Sequence, residues 1–225
     1  MFTARAPSRL LRPVIGSVHR TISTFTLPTS CPSCKAALAS SVPACLKCGT
    51  ISTVPVDVNN YSLLGIPYEP HKFALDEADL QKRFRRAQAA CHPDVWTAKG
   101  EGKKDVAQDL SSRVNDAYKR LRDPLSRLNY LLELNGVALE ATDKLEDEAF
   151  LMKILSLRDD IDEATEREDV EATLGETQEN IENALEEVTK HVSEGNWAAA
   201  KSASVRLKYL EGVRAAGKEW IQENE

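Results

Sequence analysis

The sequence has no uninterrupted apolar run close to the roughly 20 residues that a membrane-spanning helix needs. It also has no Asp or Glu among its first 56 residues, which leaves 23 basic against 35 acidic residues in the remainder. A body this acidic lacks the excess of Lys and Arg with which proteins neutralise nucleic-acid phosphates. The composition therefore predicts a protein that neither crosses a membrane nor binds nucleic acid.

The first stretch of the chain, residues 1–26, is rich in Arg, Ser and Thr. It lacks the continuous apolar segment of a secretory signal, whereas an Arg-rich, Ser-rich and acid-free composition is typical of a transit peptide. A basic tail without a targeting role is the alternative interpretation. We therefore expect residues 1–26 to be a mitochondrial presequence that takes no part in the fold.

Two CxxC pairs lie ten residues apart in the next segment, which is rich in Pro and Ser and has few apolar residues. Such pairs allow four thiolates to converge on one metal ion, most often Zn²⁺, and here they would be Cys31, Cys34, Cys45 and Cys48. Disulfides, a rubredoxin-like iron site and a catalytic dithiol are alternatives. Residues 27–56 are therefore predicted to be a module, with its linker, that needs one structural zinc ion to fold.

Residues 57–135 show two helical stripes of apolar residues. Asp76 is a good N-cap for the first helix, whose stripe is Leu80, Phe84, Ala87 and Cys91. After a polar, Gly-containing loop, the second stripe is Leu110, Val114, Ala117, Tyr118 and Leu121. Two such helices are expected to pack antiparallel, stripe against stripe. Asp123 and Pro124 then begin a short helix that stops at Asn135-Gly136.

His92, Pro93 and Asp94 follow the first of these helices. Pro93 cannot continue a helix, so the tripeptide is expected in a contact loop at the end of the hairpin. His92 and Asp94 could act as a base and its orienting group, but no nucleophile, phosphate loop or third member accompanies them. A protein-docking role is favoured, because an acidic partner would suit the basic surface formed by Lys82, Arg83, Arg85 and Arg86.

The acidic segment 142–223 reads as three helices, at about 142–166, 169–193 and 196–222, and hence as a three-helix bundle. On the first helix Phe150, Ile154, Leu157 and Ile161 form the stripe that faces the core. A second apolar patch lies on another side of that helix, at Leu151, Met152 and Leu155, with Asp159 and Glu163 beside it. Because a bundle helix needs only one buried stripe, the patch is a candidate partner surface, and Tyr209 on the last helix is similarly placed outside the core. A wide buried face, or packing against the preceding domain, is the alternative.

Longer stretches of the sequence carry a family resemblance. Tyr61-Ser-Leu-Leu-Gly-Ile, the basic helix, His92-Pro93-Asp94 and Asn115-Asp-Ala-Tyr-Lys-Arg-Leu together resemble a J-domain. The stretches Arg122-Asp-Pro-Leu-Ser-Arg-Leu-Asn-Tyr-Leu-Leu and Phe150-Leu-Met-Lys-Ile-Leu-Ser-Leu-Arg resemble the HscB-type co-chaperones of iron–sulfur cluster biogenesis. The four-cysteine segment resembles an N-terminal extension found in part of the eukaryotic family. The fold implied is all-α: a J-domain hairpin at 57–135 and a C-terminal three-helix domain at 142–223, preceded by the cysteine module.

The resemblance also implies a function without a reaction of the chain's own. The J-domain would dock on a DnaK-type mitochondrial chaperone and stimulate its ATPase, through His92, Pro93 and Asp94 helped by Lys82, Arg83, Arg85 and Arg86. The C-terminal domain would bind an IscU-type scaffold protein, with contacts falling on Leu151, Met152, Leu155, Asp159, Glu163 and Tyr209. Ser156 departs from the acidic residue that the family often has there.

Other functions stay open at this point. The chain could be a J-protein for a different client, which the zinc module would bind, or a redox or metal-carrying protein that uses its four cysteines. The expected location is the mitochondrial matrix. The sequence does not decide between a monomer and a homodimer.

Overall fold

The computed structural model describes residues 27–68, 72–140 and 147–224. The predicted presequence, residues 1–26, lies outside them. The elements, in chain order, are strands β1 (Ala44–Cys45) and β2 (Thr50–Ile51), then helices α1 (Asn60–Leu63), α2 (Glu77–Cys91), α3 (Pro93–Trp96), α4 (Glu101–Arg122), α5 (Pro124–Leu134), α6 (Glu148–Asp162), α7 (Arg167–Ser193) and α8 (Trp197–Glu223). A 3₁₀ turn, Thr97–Lys99, joins α3 to α4. The mostly helical fold class predicted from the sequence is confirmed.

The cysteine module contains a short antiparallel ribbon, in which Ala44 pairs with Ile51 and Cys45 with Thr50. The sequence pattern showed no convincing strand, because the two strands are only two residues long. The module does not stand alone. Val42, Ala44 and Val54 are buried in the same apolar core as the helices that follow. Packing against those helices therefore stabilises the module in addition to any bound metal.

The hairpin of α2 and α4 forms as its apolar stripes predict. Asp76 caps α2 by accepting hydrogen bonds from the backbone N–H groups of Ala78 and Asp79. The two stripes are in contact, and the Phe84 and Tyr118 rings stack with centroids 4.1 Å apart. Cys91 is fully buried, as its place on the stripe indicates.

The predicted loop between the two helices is mostly helix, which corrects the sequence interpretation. α4 begins at Glu101, nine residues before the first member of its apolar stripe. The segment 101–109 is mostly charged, and most of its side chains face solvent. The first turns of α4 therefore show little apolar periodicity, so the periodicity of the sequence predicts a start that is too late.

The C-terminal domain consists of α6, α7 and α8, with a core that includes Ile154, Leu157, Ile161, Leu207 and Val213. The side chain of Asp147 caps α6 through the backbone N–H of Phe150. α6 ends at Asp162 rather than near 166, and α7 begins at Arg167 rather than 169. The predicted start of the first helix near 142 lies partly outside the described residues.

The two helical domains share packing. Val188, Val192, Ala200 and Ala203 of α7 and α8 belong to the same buried cluster as residues of α1 to α5. Ser204 of α8 donates a 2.7 Å hydrogen bond to Asn129 of α5. This packing fixes which faces of α6 and α8 remain exposed. No helix in the described part of the chain is long and apolar enough to cross a membrane.

Candidate functional sites

His92, Pro93 and Asp94 occupy the junction between α2 and α3. His92 ends α2 with an extended backbone and caps α3, its Nδ1 accepting a 3.3 Å hydrogen bond from the backbone N–H of Asp94. Pro93 is the first residue of α3, where its fixed φ suits a helix start. The sequence predicted a contact loop here, but the tripeptide forms a tight joint between two helices. Pro93 ends α2 and is also the first residue of α3, a position that proline favours.

The His92 and Asp94 side chains point outward from that joint. They are 47% and 88% exposed, with His92 Nδ1 and Asp94 Oδ2 3.6 Å apart. Trp96, two residues further on, is fully buried and donates a 3.0 Å hydrogen bond from Nε1 to the carbonyl of Ala90 in α2. Trp96 is thus an anchor that holds the exposed tripeptide against the hairpin. Sequence reasoning missed it, although a lone Trp next to the tripeptide was an available signal.

The four predicted basic docking residues differ in their surroundings. Lys82, Arg85 and Arg86 are exposed on α2. Arg83 is partly buried, with Nε 2.7 Å from Asp79 Oδ2 and Nη1 donating to the Gly65 carbonyl. Arg83 therefore ties α2 to the segment that follows α1, while the other three cations remain available at the surface.

The four module cysteines converge as predicted. Their sulfur atoms all lie within 4.8 Å of one another, with Cys31 Sγ 3.5 Å from Cys48 Sγ and Cys34 Sγ 3.6 Å from Cys45 Sγ. Tetrahedral Zn–S bonds of about 2.3 Å would place the sulfurs about 3.8 Å apart. The arrangement therefore fits one tetrahedral metal ion bound by four thiolates.

The protonation preferences of these cysteines also fit a metal site. The hydrogen bond with Thr50 lowers the pKa of Cys48 to about 6, and the backbone N–H of Cys34 lowers the pKa of Cys31. The backbone N–H of Ala36 favours the Cys34 thiolate, but the adjacent Cys48 sulfur and burial raise the pKa of Cys34 to about 11. Four thiolates this close need a cation to ionise together, and a bound metal supplies one.

The module also contacts the region of the tripeptide. Gly49, next to Cys48, accepts a 2.8 Å hydrogen bond from Lys103 Nζ in the first turn of α4. Lys99 lies in the turn between α3 and α4, with its Nζ 4.2 Å from the centre of the Trp96 ring. Arg113 of α4 donates to the carbonyls of Val54 and Pro55 at 2.7 and 2.8 Å. The cysteine module therefore braces the start of α4 and the turn after the tripeptide.

The second apolar patch predicted on α6 is at the surface. Met152 is 66% and Leu155 54% exposed, and both stand among the most exposed large apolar side chains of the described residues. Leu151 is partly buried, whereas Asp159 and Glu163 are exposed beside the patch. The alternative of a wide buried face on α6 is therefore wrong, because the buried residues of this helix are Ile154, Leu157 and Ile161 of the other stripe.

Tyr209 joins this surface from α8. Its side chain is 36% exposed, and its ring lies 6.5 Å from that of Phe150 in an edge-to-face arrangement. Arg206 supports the same corner, with Nη2 2.6 Å from Asp147 at the start of α6. The structure therefore places Tyr209 beside the first turn of α6, more than 50 positions away in the sequence.

Comparisons with known proteins identify a matching family model and several relatives. Residues 146–217 match the family model described as the HSCB C-terminal oligomerisation domain. A co-chaperone protein HscB homolog of Burkholderia multivorans is 37% identical over 148 residues, which span 64% of this chain and 85% of that protein. The homolog of Burkholderia thailandensis is 36% identical over 150 residues, or 65% and 86% of the two chains.

Solved structures resemble the fold over most of its length. The crystal structure of human co-chaperone protein HscB aligns with a TM-score of 0.71 and 25% identity, covering 84% of this chain and 97% of that one. Chaperone HscB from Vibrio cholerae aligns with a TM-score of 0.66 and 25% identity, covering 75% and 100%. The yeast Jac1 co-chaperone, at 23% identity and a TM-score of 0.58, shares the fold.

Proposed function

The chain belongs to the HscB family of co-chaperones, and we propose that it links an iron–sulfur cluster scaffold protein to a DnaK-type chaperone and stimulates that chaperone's ATPase. The observation that carries this proposal is the presence of two exposed surfaces on helical domains that pack against each other. One is the joint at His92–Asp94, and the other is the patch of Met152 and Leu155. Each surface is exposed in the free protein.

The joint is suited to triggering another protein's reaction rather than to catalysis. Within the described chain, the contacts of the His92 side chain stay inside its own tripeptide. The exposed cations of α2, Lys82, Arg85 and Arg86, lie on the preceding helix and would attract an acidic docking surface. Pro93 and the buried Trp96 hold His92 and Asp94 in a fixed orientation, which lowers the entropy lost on docking.

The patch on α6 and α8 is suited to holding the scaffold protein. It is apolar at its centre, at Leu151, Met152, Leu155 and Tyr209, and acidic along one side, at Asp159 and Glu163. Central apolar anchors with polar residues around them are the usual composition of a specific interface. Linking this surface to the joint makes the encounter of scaffold and chaperone effectively intramolecular. Cluster transfer would follow once ATP hydrolysis closes the chaperone on the scaffold.

The four cysteines would hold one structural Zn²⁺. The supporting observations are the convergence of the four sulfurs within 4.8 Å of one another and the contacts through which the module braces α4. Metal analysis of the purified chain tests this: stoichiometric zinc without visible absorption is expected. A coloured, iron-containing preparation would favour the alternative of a redox or cluster-carrying function.

The proposed location is the mitochondrial matrix, where the basic, acid-free composition of residues 1–26 would direct the chain. Fusion of residues 1–26 to a fluorescent reporter tests this. Diffuse cytosolic fluorescence would contradict it.

An ATPase assay tests the adaptor function. The chaperone is assayed with this protein, with an IscU-type scaffold, and with both, and stimulation greater than the sum of the separate effects is expected. Stimulation by this protein without any response to the scaffold would instead favour a J-protein for a different client. A scaffold pull-down provides the second test, since the different-client alternative predicts that the wild-type chain does not bind the scaffold.

A further inference from the structure

A cleft of about 580 Å³ opens between the J-domain and the C-terminal domain. Leu125 and Asn129 of α5 and the segment at Leu139 and Glu140 form one wall. Residues of α6 and α8 form the other, among them Arg158, Lys208 and Tyr209. The partly buried hydrogen bond from Ser204 to Asn129 joins the two walls. The cleft is therefore a fixed feature of the way the two domains pack.

Two cations converge on this cleft. Arg158 of α6 and Lys208 of α8 are exposed and form no ion pair with any described residue, whereas Lys153, Arg206 and Arg214 of the same helices each pair with a carboxylate. Glu140, on the opposite wall, offsets one of the two positive charges. The cleft thus keeps a positive charge in a domain where acidic residues outnumber basic ones.

The position of Arg158 depends on a glycine. Its Nη2 lies only 3.1 Å from the place that a Cβ on Gly212 would occupy. Because α8 has no side chain at that position, the guanidinium of Arg158 can cross from α6 and lie against α8. This places it on the same wall as Lys208.

The cleft is continuous with the apolar patch. At 100° per residue, Arg158 lies about 20° from Leu151 around α6 and about 60° from Leu155. By the same geometry Met152 lies about 100° from Leu151, and Asp159 and Glu163 flank it at about 80° and 120°. Tyr209 lines the cleft and contacts Phe150, the neighbour of Leu151 in α6. The surface is therefore basic on the side of Leu151 that faces the cleft and acidic around Met152.

We propose that the cleft at Arg158 and Lys208 binds an acidic side chain of the scaffold protein, next to the apolar contacts made at Met152 and Leu155. This inference rests on the proposed scaffold binding and adds a polar contact to the apolar contacts of that surface. A carboxylate is favoured by the charge of the cleft, by its two hydrogen-bond-donating cations, and by the place of the Arg158 guanidinium against α8. The pairing would also fix the orientation of the scaffold, since the reversed orientation would bring the same carboxylate against Asp159 and Glu163.

The test uses the full chain, an IscU-type scaffold protein and calorimetry at two salt concentrations. Arg158→Gln and Lys208→Gln are each expected to weaken binding about three- to tenfold, as for partly exposed charge pairs. Lys218→Gln is the matched control, because it removes the same charge from an exposed position of α8 outside the cleft. The loss should be larger at low salt, where a charge contact is least screened.

Two further variants separate a charge contact from a change in packing. Arg158→Lys should retain most of the affinity, and Arg158→Glu should weaken binding more than Arg158→Gln. Thermal melting of each variant shows whether the fold is intact. Wild-type affinity for Arg158→Gln and Lys208→Gln would overturn the inference, as would equal losses for Lys218→Gln. If Met152→Ala and Leu155→Ala also leave binding unchanged, the scaffold-binding proposal itself fails.

Discussion

Removing the two exposed apolar side chains of α6 tests the scaffold surface most quantitatively. In the double variant Met152→Ala/Leu155→Ala neither change touches the core, since the side chains are 66% and 54% exposed in the free protein. Surface substitutions of this kind usually change the free energy of unfolding by no more than about 0.5 kcal/mol. The variant should therefore keep the wild-type fold and melting temperature.

The expected effect on binding follows from the exposed fractions. Full burial of a Leu or Met side chain is worth about 1.5–3 kcal/mol, so covering the exposed parts of these two side chains is worth about 2–3.5 kcal/mol together. That range corresponds to a dissociation constant about 30- to 300-fold higher. Calorimetric titration of the scaffold protein into wild type and variant measures the difference directly.

Leu46→Ala is the control for this experiment. Leu46 is 48% exposed, close to the value for Leu155, but lies in the cysteine module. It should bind the scaffold as the wild type does. Unchanged affinity in the double variant, or an equal loss in Leu46→Ala, would refute the assignment of the patch.

Three further predictions concern the other sites. His92→Gln should reduce stimulation of the chaperone ATPase to the basal rate, while calorimetry shows unchanged scaffold affinity; loss of both in a folded variant would contradict two separate surfaces. Cys45→Ser should lose the bound metal and lower the Tm by about 2–4 °C for each kcal/mol lost, because the module shares its core with the J-domain, whereas Cys91→Ala should keep the metal. Burial raises the pKa of Cys91 from 9.0 to about 11. The contribution of this buried thiol to the free energy of unfolding is therefore complete below pH 9 and is lost as the pH rises through about 11. The urea concentration at the unfolding midpoint should therefore decrease as the pH rises from about 9 to about 11. It should decrease less in Cys91→Ala, and an equal decrease in the two proteins would contradict the effect of burial.

Periodicity and caps accounted for most of the helical fold. The stripes at Leu80–Cys91 and Leu110–Leu121 predicted the hairpin because their apolar residues are the ones that become buried. The start of α4 was misplaced because its first turns, from Glu101, face solvent and have no stripe. The helix after Pro93 was missed for a related reason: four residues are too few to show a period.

The sites were predictable to different degrees. The cysteine cluster could be predicted because two CxxC pairs at this spacing are typical of four thiolates that converge on one metal ion. The patch at Met152 and Leu155 could be predicted because one helix carried two apolar stripes where a bundle needs one. The cleft at Arg158 and the brace from Gly49 to Lys103 could not, since both depend on how separate domains pack, and no local pattern reports that.

The central claim is that both surfaces must act from the same chain, and a complementation assay tests it most directly. Chaperone ATPase activity is measured with scaffold protein and an equimolar mixture of two variants, His92→Gln and Met152→Ala/Leu155→Ala, each defective in one surface only. Linkage predicts that the mixture does not restore the greater-than-additive stimulation seen with the wild type. Full restoration by the mixture would contradict it.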